Sequence, residues 1–148
     1  MTRLVDRIET PEERIALVDD CVSLLSLEVA RRKGLTGLVT KGAFKVVSAV
    51  KPGFIRAVLD GLLDDFLDAL QPFHDAWSAQ GPGTFGAYLV SHGEAVANAL
   101  LAITDIRADR TKFKAAEKTY RKLRPTAIEQ VVQSMPALGD LADRHLAD

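Results

Sequence analysis

From Pro52 to Leu70 apolar residues recur every three or four positions: Phe54, Ile55, Val58, Leu59, Leu62, Leu63, Phe66, Leu67 and Leu70. Wound as an α-helix they cover more than half of the circumference. Arg56, Asp60, Asp64 and Asp68 share the narrow strip that is left. A surface helix carries a narrower apolar stripe, so this segment is expected to be a central helix with one acidic edge open to solvent or a partner. The rest of the chain reads as further helices arranged around it.

Residues 2–9 predict a short helix with Leu4, Val5 and Ile8 on its apolar side. Thr10-Pro11-Glu12-Glu13 is a start signal: threonine caps, proline takes a position whose N–H is free anyway, and Glu13 completes a capping box. The helix it opens runs to about Arg32, burying Ile15, Val18, Cys21, Val22, Leu25 and Val29, until Gly34 stops it. Residues 35–50 then place Leu35, Leu38, Val39, Ala43, Val46, Val47 and Val50 on one face, with Lys41 and Lys45 to one side and Phe44 pointing away. Two readings compete for this segment. It is a core helix whose Gly37 and Gly42 admit a close neighbour, or an interfacial helix, since Lys33 and Lys51 make it cationic as well as apolar.

Gln71-Pro72 is expected to end the central helix, with a short helical piece over 73–80. Gly81-Pro82-Gly83 is a turn and the one candidate hinge in an otherwise single helical domain, 1–148. Thr84 caps a helix to about Arg107 with Phe85, Leu89, His92, Val96, Leu100 and Ile103 inward. A further helix covers Asp109 to Leu123. Arg124-Pro125 and Met135-Pro136 are breaks; Ile128, Val131 and Val132 carry another helix between them, and Leu138, Leu141 and Leu146 mark a last one. No period-two apolar run appears, so the fold class is all-α: a single-domain bundle of about six to eight helices.

Composition changes this picture little. The chain has 148 residues, 47% hydrophobic and 26% charged, with net charge −1. That suffices for one unstapled core and gives no bulk preference for nucleic acid. A lone cysteine, Cys21, excludes an internal disulfide and predicts a buried, inert thiol. The charged N-terminus and the lack of a long apolar run point to a soluble, cytoplasmic protein.

Charge placement says more. From Arg107 to Arg124 eight basic residues face only Asp109 and Glu117. Lys112, Lys114, Lys118, Arg121 and Lys122 are therefore candidates for an interaction surface, together with Lys41, Phe44 and Lys45. Asp60, Asp64 and Asp68 stack one turn apart, but a divalent cation needs ligands from several elements, so they read as a solvated face. Asp65, at the edge of the apolar arc, and His92, in the middle of one, are candidate buried polar residues. The first is an ion-pair partner and the second a hydrogen-bonded core histidine rather than a base. No nucleophile elbow, phosphate loop, zincin or di-iron pattern is present, and no cofactor is indicated.

Arg32-Lys33-Gly34-Leu35-Thr36-Gly37-Leu38, Leu62-Leu63-Asp64-Asp65-Phe66-Leu67-Asp68-Ala69-Leu70 and Arg107 through Pro125 resemble a family of small actinobacterial-type helical proteins, a domain of unknown function. The resemblance implies a single helical domain and brings no site residues with it. On function the residues favour a non-enzymatic module that binds another protein or its own copy, the latter as a homodimer. Peripheral binding to an anionic membrane through 33–51, with Phe44 inserting, is the alternative. A small-molecule or metal-dependent enzyme built near His92 is the third reading.

Overall fold

A computed structural model describes residues 3–146; of the short helix expected over 2–9, residue 2 lies outside them. Within that range a 3-10 turn, Leu4–Arg7, precedes seven α-helices. These are α1 (Pro11–Arg31), α2 (Gly34–Ser48), α3 (Phe54–Gln80), α4 (Phe85–Ser91), α5 (Gly93–Arg110), α6 (Lys114–Gln133) and α7 (Met135–Leu146). The all-α bundle read from the periodicity is the fold observed.

α3 has the central place its pattern demands. The 3-10 turn, α1, α2, α4 and α5 all pack on it. Leu63, Leu67 and Leu70 enter a continuous core with Leu4, Leu17, Val18, Phe85, Leu89, Val96, Met135, Leu141, Ala142 and Leu146. Its solvent strip is narrower in effect than expected, because arginines of preceding elements lie along it. Arg14 reaches Asp60 at 3.0 Å and Asp64 at 2.9 Å, Arg3 reaches Asp68 at 2.6 Å, and Arg56 pairs with Asp19. The acidic edge is thus an ion-paired seam holding the N-terminal elements to α3.

Three boundaries differ from expectation. α3 continues through Pro72 to Gln80, and α6 runs through Pro125. Both prolines sit on exposed helix faces, where water can take the carbonyl freed by the missing N–H. Between Thr84 and Arg107 the chain breaks instead at His92, which ends α4 and caps α5. Thr10 and Thr84 cap their helices, accepting from Glu13 N–H at 3.1 Å and Ala87 N–H at 3.0 Å, while the Glu13 side chain does not return the bond that would complete a capping box.

α4 and α7 pack in direct contact through two glycines. A Cβ on Gly86 would meet the Gly139 carbonyl oxygen at 2.5 Å, and one on Gly139 would meet the Gly86 carbonyl oxygen at 2.8 Å. Backbone lies on backbone here, and Asp143 of α7 accepts from the Gly86 N–H at 2.8 Å.

Candidate interaction surface

α2 stands apart from this core. None of its residues belongs to the central apolar cluster; its only fully buried positions are Gly37 and Thr40. It lies antiparallel against α6. At one end Arg32 donates to the Gln130 carbonyl at 2.9 Å and to Ser134 Oγ, while Thr40 Oγ1 donates to Gln130 Oε1 at 2.9 Å. At the other, Lys51 Nζ sits 5.2 Å over the ring of Phe113, which is edge-on to Phe54. Arg32 also pairs at 3.6 Å with the buried Glu28 of α1, and Gly37 lets α2 come against the Arg32 carbonyl, where a Cβ would be 2.8 Å from the oxygen.

These contacts turn α2 by roughly a third of a revolution from the orientation its apolar pattern suggests. Thr40, Phe44 and Val47 face inward, and Phe44 is half-buried. Phe44 is therefore not the outward-inserting side chain expected from the sequence. Leu35 (82% exposed), Leu38 (69%), Val39 (58%) and Val46 (48%) lie on the opposite, outer side. Gly42 shares that side, with nothing within 4 Å of an added Cβ. The core-helix reading is corrected accordingly: Gly37 admits a close neighbour, and Gly42 does not. Four large apolar side chains over about three turns of one helix give a patch of a few hundred Å², a size often tied to function on a monomer. Lys41 and Lys45 are exposed along one flank. At the N-terminal end Arg32, Lys33, Leu35, Leu38 and Lys41 line a shallow depression of about 470 Å³.

The basic stretch after Arg107 is exposed at Lys112, Lys114, Lys118, Arg121 and Lys122. It is partly neutralised from within: Arg121 pairs with Asp109 and Glu117, and Lys114 with Glu117. Arg124 holds Asp105 at 2.9 Å, and Tyr120 donates to the same carboxylate at 2.5 Å. Arg124 draws Asp105 below the usual carboxylate range. Burial, and then the bond to Asp105, push the Tyr120 phenol up to about 12. This network ties α5 to α6.

Neither expected buried polar residue is buried. Asp65 is exposed, because the neighbours of α3 leave its sector open. His92 is exposed at the α4–α5 junction, its ring stacked on Tyr88 with centroids 4.1 Å apart and Nδ1 3.0 Å from the Tyr88 carbonyl oxygen. The buried histidine is His74, 3% exposed and edge-on to Trp77 and Phe85. Its Nε2 has no hydrogen-bond partner among the described residues, and burial, followed by the charge of Arg7, lowers its pKa. The signal was present: His74 continues the Leu63, Leu67, Leu70 row at helical spacing once α3 is allowed to pass Pro72. Cys21 is half-buried, with its thiol pushed up by burial to about 11. Among the described residues no group of acids, histidines or cysteines is arranged to hold a metal ion, and no helix is long and apolar enough to cross a membrane.

The family of unknown function DUF6918 matches residues 4–146. The chain belongs to that family. No curated protein and no solved structure matches it. For this DUF6918 chain the functional reading therefore rests on its own surfaces, and α2 is the one whose side chains depart most from what a folded monomer needs.

Proposed function

We propose that the protein is a non-enzymatic docking module whose working surface is the outer face of α2. The observation that carries this is the exposure of Leu35, Leu38, Val39 and Val46 together on a helix fixed by a polar seam to α6. Burying such a face on a partner gains about 25 cal/mol for each Å² of apolar surface covered. The polar clusters support the non-enzymatic part, because each joins one helix to another: Arg14 with Asp60 and Asp64, Asp105 with Tyr120 and Arg124, and Asp20 with Arg144 and His145. A cytoplasmic setting, where a free thiol such as Cys21 is ordinary, goes with this reading.

The ion-paired seam on α3 also redirects the reading. A second copy that set its basic α6 against an acidic α3 would have to displace Arg14 and Arg3 from Asp60, Asp64 and Asp68, so charge segregation no longer favours that dimer. Light scattering after size exclusion, at low and high salt, reads self-association, and vesicle flotation reads a lipid surface. Replacing Leu35 and Leu38 by serine should abolish whichever association the wild type shows and leave the melting curve unchanged. Wild-type protein that is monomeric and unbound under all these conditions overturns the docking role, as does association that survives the double replacement.

A further inference from the structure

Resting on that docking role, we infer that the partner of α2 is an anionic lipid bilayer surface. Residues 33–51 contain four lysines and no acid. Lys51 is engaged with Phe113, whereas Lys33, Lys41 and Lys45 are exposed and form no ion pair among the described residues. The apolar arc of Leu35, Leu38, Val39 and Val46 thus has a cationic margin on one flank and at its N-terminal end. An amphipathic helix lying in the membrane plane has this arrangement, with apolar side chains at the acyl boundary and lysines at the phosphates. The shallow depression lined by Lys33, Leu35, Leu38 and Lys41 puts cations beside apolar side chains, the pairing that a headgroup phosphate above the start of an acyl chain needs.

A second copy of the chain fits the same face less well. A two-fold pairing of α2 on α2 would bring the lysines of both helices to one seam, with no carboxylate on either segment to separate them. Like charges so placed oppose association. A lipid surface supplies the missing anions without requiring a shape-matched groove.

Flotation of the full chain with phosphatidylcholine vesicles, with and without phosphatidylglycerol, tests this at low and high salt. Binding is expected only to the anionic vesicles, weakening as salt rises. Joint replacement Lys33→Gln, Lys41→Gln and Lys45→Gln is expected to weaken it roughly a hundredfold, at about fivefold for each lysine. Leu35→Ser with Leu38→Ser should abolish it at every salt concentration. All five positions are exposed, and circular dichroism and melting of each variant check that the fold is kept. Absence of binding to anionic vesicles at low salt, or binding that ignores vesicle charge or the lysine replacements, overturns the lipid partner. A dimer dissolved by the leucine replacements, or capture by polyglutamate, with no vesicle binding also overturns it while leaving the docking role standing; no association of any kind overturns both.

Discussion

α2 and α3 carry similar sequences by the measure of apolar spacing, and they end in opposite environments. α3 has its apolar arc covered by five neighbouring elements. α2 shows its broadest apolar arc to solvent and turns Thr40, Phe44 and the bare backbone of Gly37 inward. Hydrophobic burial positions α3. α2 is positioned by directional contacts, namely the Arg32 and Thr40 hydrogen bonds and the close approach at Gly37. A helix held by polar contacts can leave its greasy side free for another surface.

The largest test of this contrast replaces the same residue type in both helices. Leu67→Ala, in the middle of the core, is expected to cost about 3 kcal/mol through lost burial and the cavity left behind. For a chain of this length that lowers the melting temperature by roughly 10 °C. Leu35→Ala should change stability by no more than about 0.5 kcal/mol, as exposed positions do. Thermal melts of the two variants decide the matter. If Leu35→Ala destabilises as much as Leu67→Ala, the outer face of α2 is covered in solution and the contrast fails.

Arg32→Ala probes the seam itself. It removes the bonds to Gln130 and Ser134 and leaves the buried Glu28 with Arg31 alone, 3.0 Å away. A loss of about 2 kcal/mol is expected, with faster amide hydrogen exchange concentrated in α2 and the end of α6. Exchange in α2 that is unchanged by this substitution would show that Phe44 and Val47 hold the helix by burial after all.

A smaller effect lies in pH. His74 is held neutral by burial, so its folded pKa is below its unfolded value. As pH falls through about 6.5 the unfolded chain takes up a proton that the folded one refuses. Stability is therefore complete above that pH and declines below it, until the lowered folded pKa is passed. The slope from this one group is at most about 1.4 kcal/mol per pH unit. Asp105, drawn down mainly by Arg124, and Asp20, drawn down mainly by His145, give a separate acid limb. Their contribution is present above the ordinary carboxylate pKa and is lost as pH falls through the lowered folded values. Denaturant titrations across pH should show both steps in the wild type. In His74→Phe only the acid limb should remain.

How much of this could be read from the chain alone follows the same division. The place of α3, the threonine caps and the all-α class came from local spacing, because burial and capping act over one or two turns. The orientation of α2 did not. Two arcs of that helix are plausible inner faces, and the choice is made by Gln130 and Ser134, about a hundred residues away. His92 and His74 exchanged roles for a related reason. A spacing argument carries one stripe through residue 92, where the helix in fact breaks, and stops another at Pro72, where it continues. The exposed leucines of 33–51 were visible as a composition, cationic and apolar at once, but which of them face outward was not.

The finest test is at Gly42, one turn from both Leu38 and Val46 on the outer face of α2. Its φ is not positive and an added Cβ would meet nothing within 4 Å, so Gly42→Ala should stabilise the protein by about 0.5–1 kcal/mol through helix propensity alone. Gly37→Ala, one turn and a half earlier, should destabilise it, since its Cβ would lie 2.7 Å from the Arg32 carbonyl carbon. The pair also separates the partners that α2 could meet. A fluid lipid surface accommodates one more methyl group, and vesicle binding should be equal or slightly stronger in Gly42→Ala. A second helix seated against Gly42 would be pushed away by that methyl, so association that weakens while the melting temperature rises would point to a protein partner on this face.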